Sequence, residues 1–178
     1  MTTTPANKSG WGTGLVRREL TSLGSCRYLR AVGVNSAVIG KRYPADTYAV
    51  GREKIREYAC AVGETLALYH DVDAARAAGH ADLVAPPMFA AVYAGRAIAR
   101  CLFDPELGID FAMLVHGCQD FRWEALVVAG DEISTAVVVK DVAQRAGMGF
   151  YVFETTSANQ RSEIVCVGLW TNIVRSTG

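Results

Sequence analysis

His116 and Cys118 flank Gly117, and an imidazole beside a thiol is a pairing that can make a nucleophile. At strand spacing the two side chains share one face. No third group stands nearby to orient the histidine, and a packed histidine beside a buried thiol is the other reading. Arg96 and Arg100 lie four apart, on one face of a predicted helix. Two guanidinium groups so placed can hold a phosphate; cations near a helix end also simply offset its dipole. Asp120, Arg122 and Glu124 alternate with Phe121 and Trp123, which gives a polar strand face for a subunit contact or for water. The three histidines are scattered, so no metal site and no cofactor is expected.

The bulk composition excludes several classes of function. Of 178 residues, 51% are hydrophobic and 20% charged, and Lys+Arg balances Asp+Glu at 18 each. A neutral chain of this kind is not expected to bind nucleic acid or an anionic membrane as its main partner. No run approaches the roughly 18 apolar residues of a membrane span, and no signal peptide is read. Five cysteines without a CxxC pair read as reduced thiols in a cytoplasmic protein, not as a disulfide or metal framework.

The elements that must position these residues begin at Ile39. Residues 1–38 form an N-terminal extension rich in Thr, Ser and Gly, with at most a short helix near Gly14–Leu23. The alternative is a translation start near Val34, which the intact mass of the natively expressed protein decides. Within GREKIREYACAVG, Ile55, Tyr58, Ala59 and Val62 mark one face of a helix, and Gly63 stops it. A short second helix is capped by Asp71 and ended by Gly79. Next, APPMFAAVYAGRAIARCLF predicts a long buried helix from Pro87 to Phe103. At 1.5 Å per residue it is about 25 Å long, roughly the width of a five-stranded sheet. FAMLVH, FRWEALV, EISTAVVVKDV, GFYVFETTSA and EIVCVGLWTNIVR read as five strands. Helices followed by a run of antiparallel strands make the fold class α+β.

Over residues 39–175, four stretches in order carry a family resemblance: RYPADTYAVGREKIREYACAVGE, ALYHDVDAARAAGHADLVAPPMF, HGCQDFRWEALVVAGDEI and a hairpin ending LWTNIVR. They resemble the MaoC-like hotdog dehydratases, in particular the N-terminal, FAS1-like dehydratase branch. The first stretch is similar to the accessory subunits of mycolic-acid-type dehydratase heterodimers. The resemblance implies a single hotdog domain over 39–178, an antiparallel sheet wrapped around a long central helix. It also implies an acyl thioester carried on coenzyme A or acyl carrier protein, and a second MaoC-like hotdog subunit as partner. The chemistry is reversible loss of water from a 3-hydroxyacyl thioester, which needs a base, an acid and donors for an enolate-like oxygen.

Catalytic members of that family resemble one another in a loop Gly-Asp-x-Asn-Pro-Leu/Ile-His. The matching stretch here is Gly63, Glu64, Thr65, Leu66, Ala67, Leu68, Tyr69, with His70 one position later. Glu64 is one methylene longer than the family's Asp, and a misplacement of about 1 Å can cost a hundredfold. The family's oxyanion glycine at the start of the long helix falls on Pro87, which has no N–H. Losing one such donor can cost about 10² to 10³ in rate. The expectation is therefore an accessory subunit that binds the acyl group while its partner supplies Asp, His and Gly. Tyr69, Pro87, Met88 and Ala91 are its candidate acyl-binding residues, and Arg96 and Arg100 its candidates for coenzyme A phosphates. Two alternatives stay open: a homodimeric hydratase using Glu64 and His70, and a non-enzymatic acyl-CoA-binding hotdog.

Overall fold

The computed structural model describes residues 33–175; the short helix expected near Gly14–Leu23, and Cys26, lie outside them. The described chain is folded from slightly before Ile39. Asn35 caps a 3-10 turn at Ser36–Val38, and Val38 is buried.

Eight elements follow: β1 (Arg42–Ala49), α1 (Arg52–Val62), α2 (Val72–Ala77), α3 (Ala90–Leu102), β2 (Leu114–Trp123), β3 (Glu132–Arg145), β4 (Met148–Ala158) and β5 (Ile164–Val174). The five strands form one antiparallel sheet in the order β1-β3-β4-β5-β2. α3 packs on its inner face, so the expected hotdog arrangement is present. β3, β4 and β5 are consecutive hairpins. The β3–β4 turn uses Ala146 and Gly147 at φ 50° and 79°, the left-handed pair that a two-residue hairpin requires. β1 and β2 are the two edges.

Two strands differ from the expectation. FAMLVH and FRWEALV are parts of a single strand, β2, with a register shift between His116 and Cys118. The fifth strand is β1, where Pro44 and a register shift between Tyr43 and Asp46 break the alternation. An edge strand tolerates both, because proline removes no ladder bond on the solvent side.

α3 is preceded by a separate 3-10 turn at Pro87–Phe89 and buries one face only: Ala90, Tyr93, Ala94, Ala97, Ile98 and Cys101. Arg96, Ala99 and Arg100 are exposed, so the helix is amphipathic and not buried all round. Its small residues bring it close to the sheet; a Cβ on Gly95 would lie 3.9 Å from the Trp170 ring. Opposite it, Thr135 of β3 and Ser157 of β4 share a hydrogen bond of 2.8 Å, and Trp170 Nε1 donates to Thr155 Oγ1 at 3.1 Å. These buried polar groups are thus satisfied inside the sheet. α1 buries Ile55 and Ala59, as its period predicts, and Gly63 ends it at φ 76°. Val62, expected on the same face, is 53% exposed because the helix overruns the core at its last turn.

Candidate functional site

The start of the central helix is held from two sides. Trp123, at the end of β2, donates its indole N–H to the Pro87 carbonyl at 2.7 Å. Tyr58 of α1 donates its hydroxyl to the Met88 carbonyl at 3.0 Å. Burial raises the Tyr58 phenol above its ordinary pKa, so the hydroxyl stays a donor. These two carbonyls also accept from Ala90 N–H. The first turn is therefore fixed between α1 and the sheet edge, as a binding site on rigid elements should be.

Between that turn and the end of β2 lies an apolar cleft of about 210 Å³, lined by Pro87, Phe89, Ala90, Tyr93, Trp123 and Leu126 among others. Burial keeps the Tyr93 phenol protonated. Among the described residues Glu124 is the one charged residue lining it, and it pairs with Arg122. The volume is below the roughly 300–1,000 Å³ of a complete small-molecule pocket. Its rim is apolar and open: Trp123 is 47% and Leu126 59% exposed. On the other side of Pro87 and Met88, a second hollow of about 300 Å³ is bounded by Tyr58, Val62 and Glu64.

The floor of the cleft depends on residues 83–85. Ala85 N–H donates to the Val127 carbonyl and Ala129 N–H to that of Leu83. Asp82 fixes this segment to α1: its carboxylate takes Arg52 Nε at 2.8 Å and Nη2 at 2.5 Å, and also accepts from Leu83 N–H. The Arg52 guanidinium, then that amide, lower the Asp82 carboxyl from 3.8 to about 2. A depressed carboxyl stabilises the fold above its unfolded pKa and loses that contribution as pH falls through the folded one. Asp82→Asn is therefore expected to cost about 1 kcal/mol at neutral pH, since Arg52 is solvent-exposed. The gap to the parent protein in urea midpoint should close between about pH 4 and pH 2. A gap that stays constant over that window would show that the ion pair does not stabilise the fold.

The residues singled out in the sequence distribute unevenly around this cleft. Pro87 lines it, whereas Met88 lines the second hollow and not the cleft. Ala90, not Ala91, is the small helix residue that opens onto it; Ala91 is half-buried beside it. Tyr69 is half-buried against the core and touches neither hollow. Glu64 is exposed, and His70 Nε2 lies 2.8 Å from the Glu64 main-chain oxygen, not its carboxylate. A carbonyl oxygen only accepts, so Nε2 carries the proton of that bond. Arg96 and Arg100 face Asp46 on the β1 side of α3, with N–O distances of 3.3 and 2.9 Å. They sit about 9 and 15 Å along the helix from Ala90, so their charge is spent on a carboxylate away from the cleft. His116 packs edge-on to Trp170, and Cys118 lies exposed on β2. No metal-binding cluster occurs among the described residues, and none of their helices is long and apolar enough to cross a membrane. The sequence alone marks Trp123 and Tyr58 only as strand and helix packing residues. Their alternation and helical spacing were visible, but a bond to a carbonyl some thirty residues away in sequence leaves no local pattern.

Three comparisons bear on this geometry. The family described as FAS1-like, dehydratase domain region, matches residues 37–167. A UPF0336 protein of Leifsonia xyli is 43% identical over 145 residues, which covers 81% of this chain and 97% of that protein. Another, from Saccharopolyspora erythraea, is 39% identical over 145 residues and 93% of its length. Among solved structures, the C-terminally truncated HadBC (3R-hydroxyacyl-ACP dehydratase) complex of Mycobacterium tuberculosis is similar with a TM-score of 0.67 at 28% identity, over 76% of this chain and 96% of the matched one. A MaoC-like dehydratase is similar with a TM-score of 0.72 at 29% identity; the match covers 79% of this chain and 43% of that one.

Proposed function

The chain belongs to the family of FAS1-like dehydratase domain regions, and from that membership we propose that it is the accessory, acyl-thioester-binding half of a 3-hydroxyacyl-thioester dehydratase. Its partner is a second hotdog chain that carries the catalytic Asp, His and oxyanion glycine. The observation that carries this reading is Pro87. The residue at the helix start, facing an apolar cleft, has no N–H to offer a thioester oxygen. The His70 ring adds support, since its Nε2 donates to a backbone carbonyl. The similarity to one chain of a dehydratase complex supports the divided arrangement.

The apolar cleft suits an acyl chain, because burying each methylene contributes about 0.8 kcal/mol. The test is hydration of trans-2-octenoyl-CoA by the purified chain and by the complex recovered from native cells through a tag on this chain, with masses recorded on the same samples. The expected result is a buffer-level rate for the chain alone and turnover by a complex with a second hotdog. Turnover by a homodimer, abolished by His70→Ala, would replace this reading with the self-sufficient hydratase. Octenoyl-CoA binding with no turnover in either state would favour a binding protein.

A further inference from the structure

The charge of the apolar cleft sits at its mouth. The Glu124 side chain lines the cleft and is 42% exposed, next to Trp123 and close to Leu126 on the open rim. Its ion-pair partner, Arg122, does not line the cleft. Arg122 lines a separate hollow, together with Asp120 and Glu154. A ligand in the cleft therefore meets the carboxylate and not the guanidinium.

The start of a helix commonly offsets such a charge, because its free N–H groups favour anions. Here those groups are missing or taken. Pro86 and Pro87 have no N–H, and Ala85, Phe89 and Ala90 donate theirs to carbonyls. None of the cleft-lining residues at the helix start thus has an amide hydrogen to spare. The Trp123 indole N–H is spent on the Pro87 carbonyl. The main-chain N–H groups of Glu124 and Ala125 both go to the Val165 carbonyl. Tyr93 lines the cleft as a neutral phenol and donates to the Cys166 sulfur.

We propose that Glu124 is a specificity-determining residue: it makes the cleft select acyl groups with an uncharged head, the thioesters, against free acids of the same chain. The inference rests on the acyl-binding reading above and deepens it by naming the group that tells the thioester from its hydrolysed form. The two compounds have the same tail, so the apolar walls bury them equally. They differ by one negative charge at the head, which lies at the mouth when the tail is inside. A like charge placed there is repelled, and specificity of this kind comes from the repulsive contact and not from a new attractive one.

The experiment is NMR titration of the full chain with hexanoate and with S-methyl hexanethioate, at neutral pH and low salt. In the parent protein the thioester should bind more tightly. In Glu124→Gln the ratio of the two dissociation constants should shift roughly tenfold toward hexanoate, the size of a like-charge repulsion over about 10 Å near a protein surface. The double variant Glu124→Gln with Arg122→Gln should shift it equally. A shift confined to the single variant would mean that the freed arginine attracts the acid, and it overturns the proposal. An unmoved ratio with measurable thioester binding also overturns it and leaves the acyl-binding reading standing. A thioester that does not bind at all removes both. Should the variants fail to fold, salt takes their place. In the parent protein about 1 M salt, with a screening length of about 3 Å, should narrow the ratio, and a ratio that salt leaves unmoved overturns the proposal.

Discussion

Removing Arg96 and Arg100 together should destabilise the fold by about 3 kcal/mol or more, although both side chains are more than half exposed. The loss falls on Asp46, not on the arginines. Asp46 is 5% exposed on β1, and its Oδ2 has no hydrogen-bond partner among the described residues. Its compensation is Arg100 Nη2 at 2.9 Å and the looser Arg96 Nε at 3.3 Å, with Arg96 also lying over the Tyr48 ring. A carboxylate taken out of water needs such partners, and breaking a buried pair from one side leaves it uncompensated. Either single Arg→Ala change should cost about 1 kcal/mol, because the other arginine remains. The double variant should therefore exceed the sum of the singles, the mark of two groups serving one charge. Asp46→Asn placed in the double variant should restore most of the loss, since an amide costs far less to bury than an ion. Urea unfolding of the five proteins decides it. Additive singles with no rescue by Asn would mean that Asp46 does not depend on the arginines.

This cluster also shows where sequence reading stops. The i, i+4 spacing of Arg96 and Arg100 correctly places them on one helix face. It cannot say which way that face points, and the carboxylate it meets lies 50 residues upstream on an edge strand broken by Pro44. β1 gives no strand signal in the sequence for the same reason, and β2 reads as two strands because GCQD interrupts its apolar alternation at the register shift. Regular periodic elements were legible: the Ile55–Ala59 face, the Gly63 stop, the Asp71 cap and the β3–β5 hairpins all lie where local rules put them. At the cleft, Pro87 was legible because a missing N–H is a property of one residue. Ala90 in place of Ala91 was not, since the choice between adjacent helix residues depends on a rotation of about 100° that only packing fixes.

Gly168→Val should be nearly as damaging as losing both arginines, and by a different route. Gly168 lies on β5 between Thr155 of β4 and Phe121 of β2. A Cβ there would meet Thr155 Oγ1 at 2.7 Å and Phe121 Cε1 at 2.9 Å, both closer than real Cβ contacts allow. Thr155 cannot move freely, because its hydroxyl accepts the buried Trp170 indole N–H at 3.1 Å. If it moves, that indole is stranded at about 1–3 kcal/mol; overpacking adds about 1–3 kcal/mol. The softer response is for Phe121, half-buried and in edge-on contact with Trp170, to swing toward the open edge. That edge pairs with no other strand among the described residues. The expected outcome is a thermal midpoint lowered by roughly 10 °C or more, from a loss of about 3 kcal/mol in a domain of this size. Adding Phe121→Ala opens space on one side of the new methyls and should recover part of the midpoint, so the coupling between the two positions is itself measurable. If Phe121→Ala only adds its own penalty, the strain falls on Thr155 and Trp170, and the β2 edge is not what Gly168 protects.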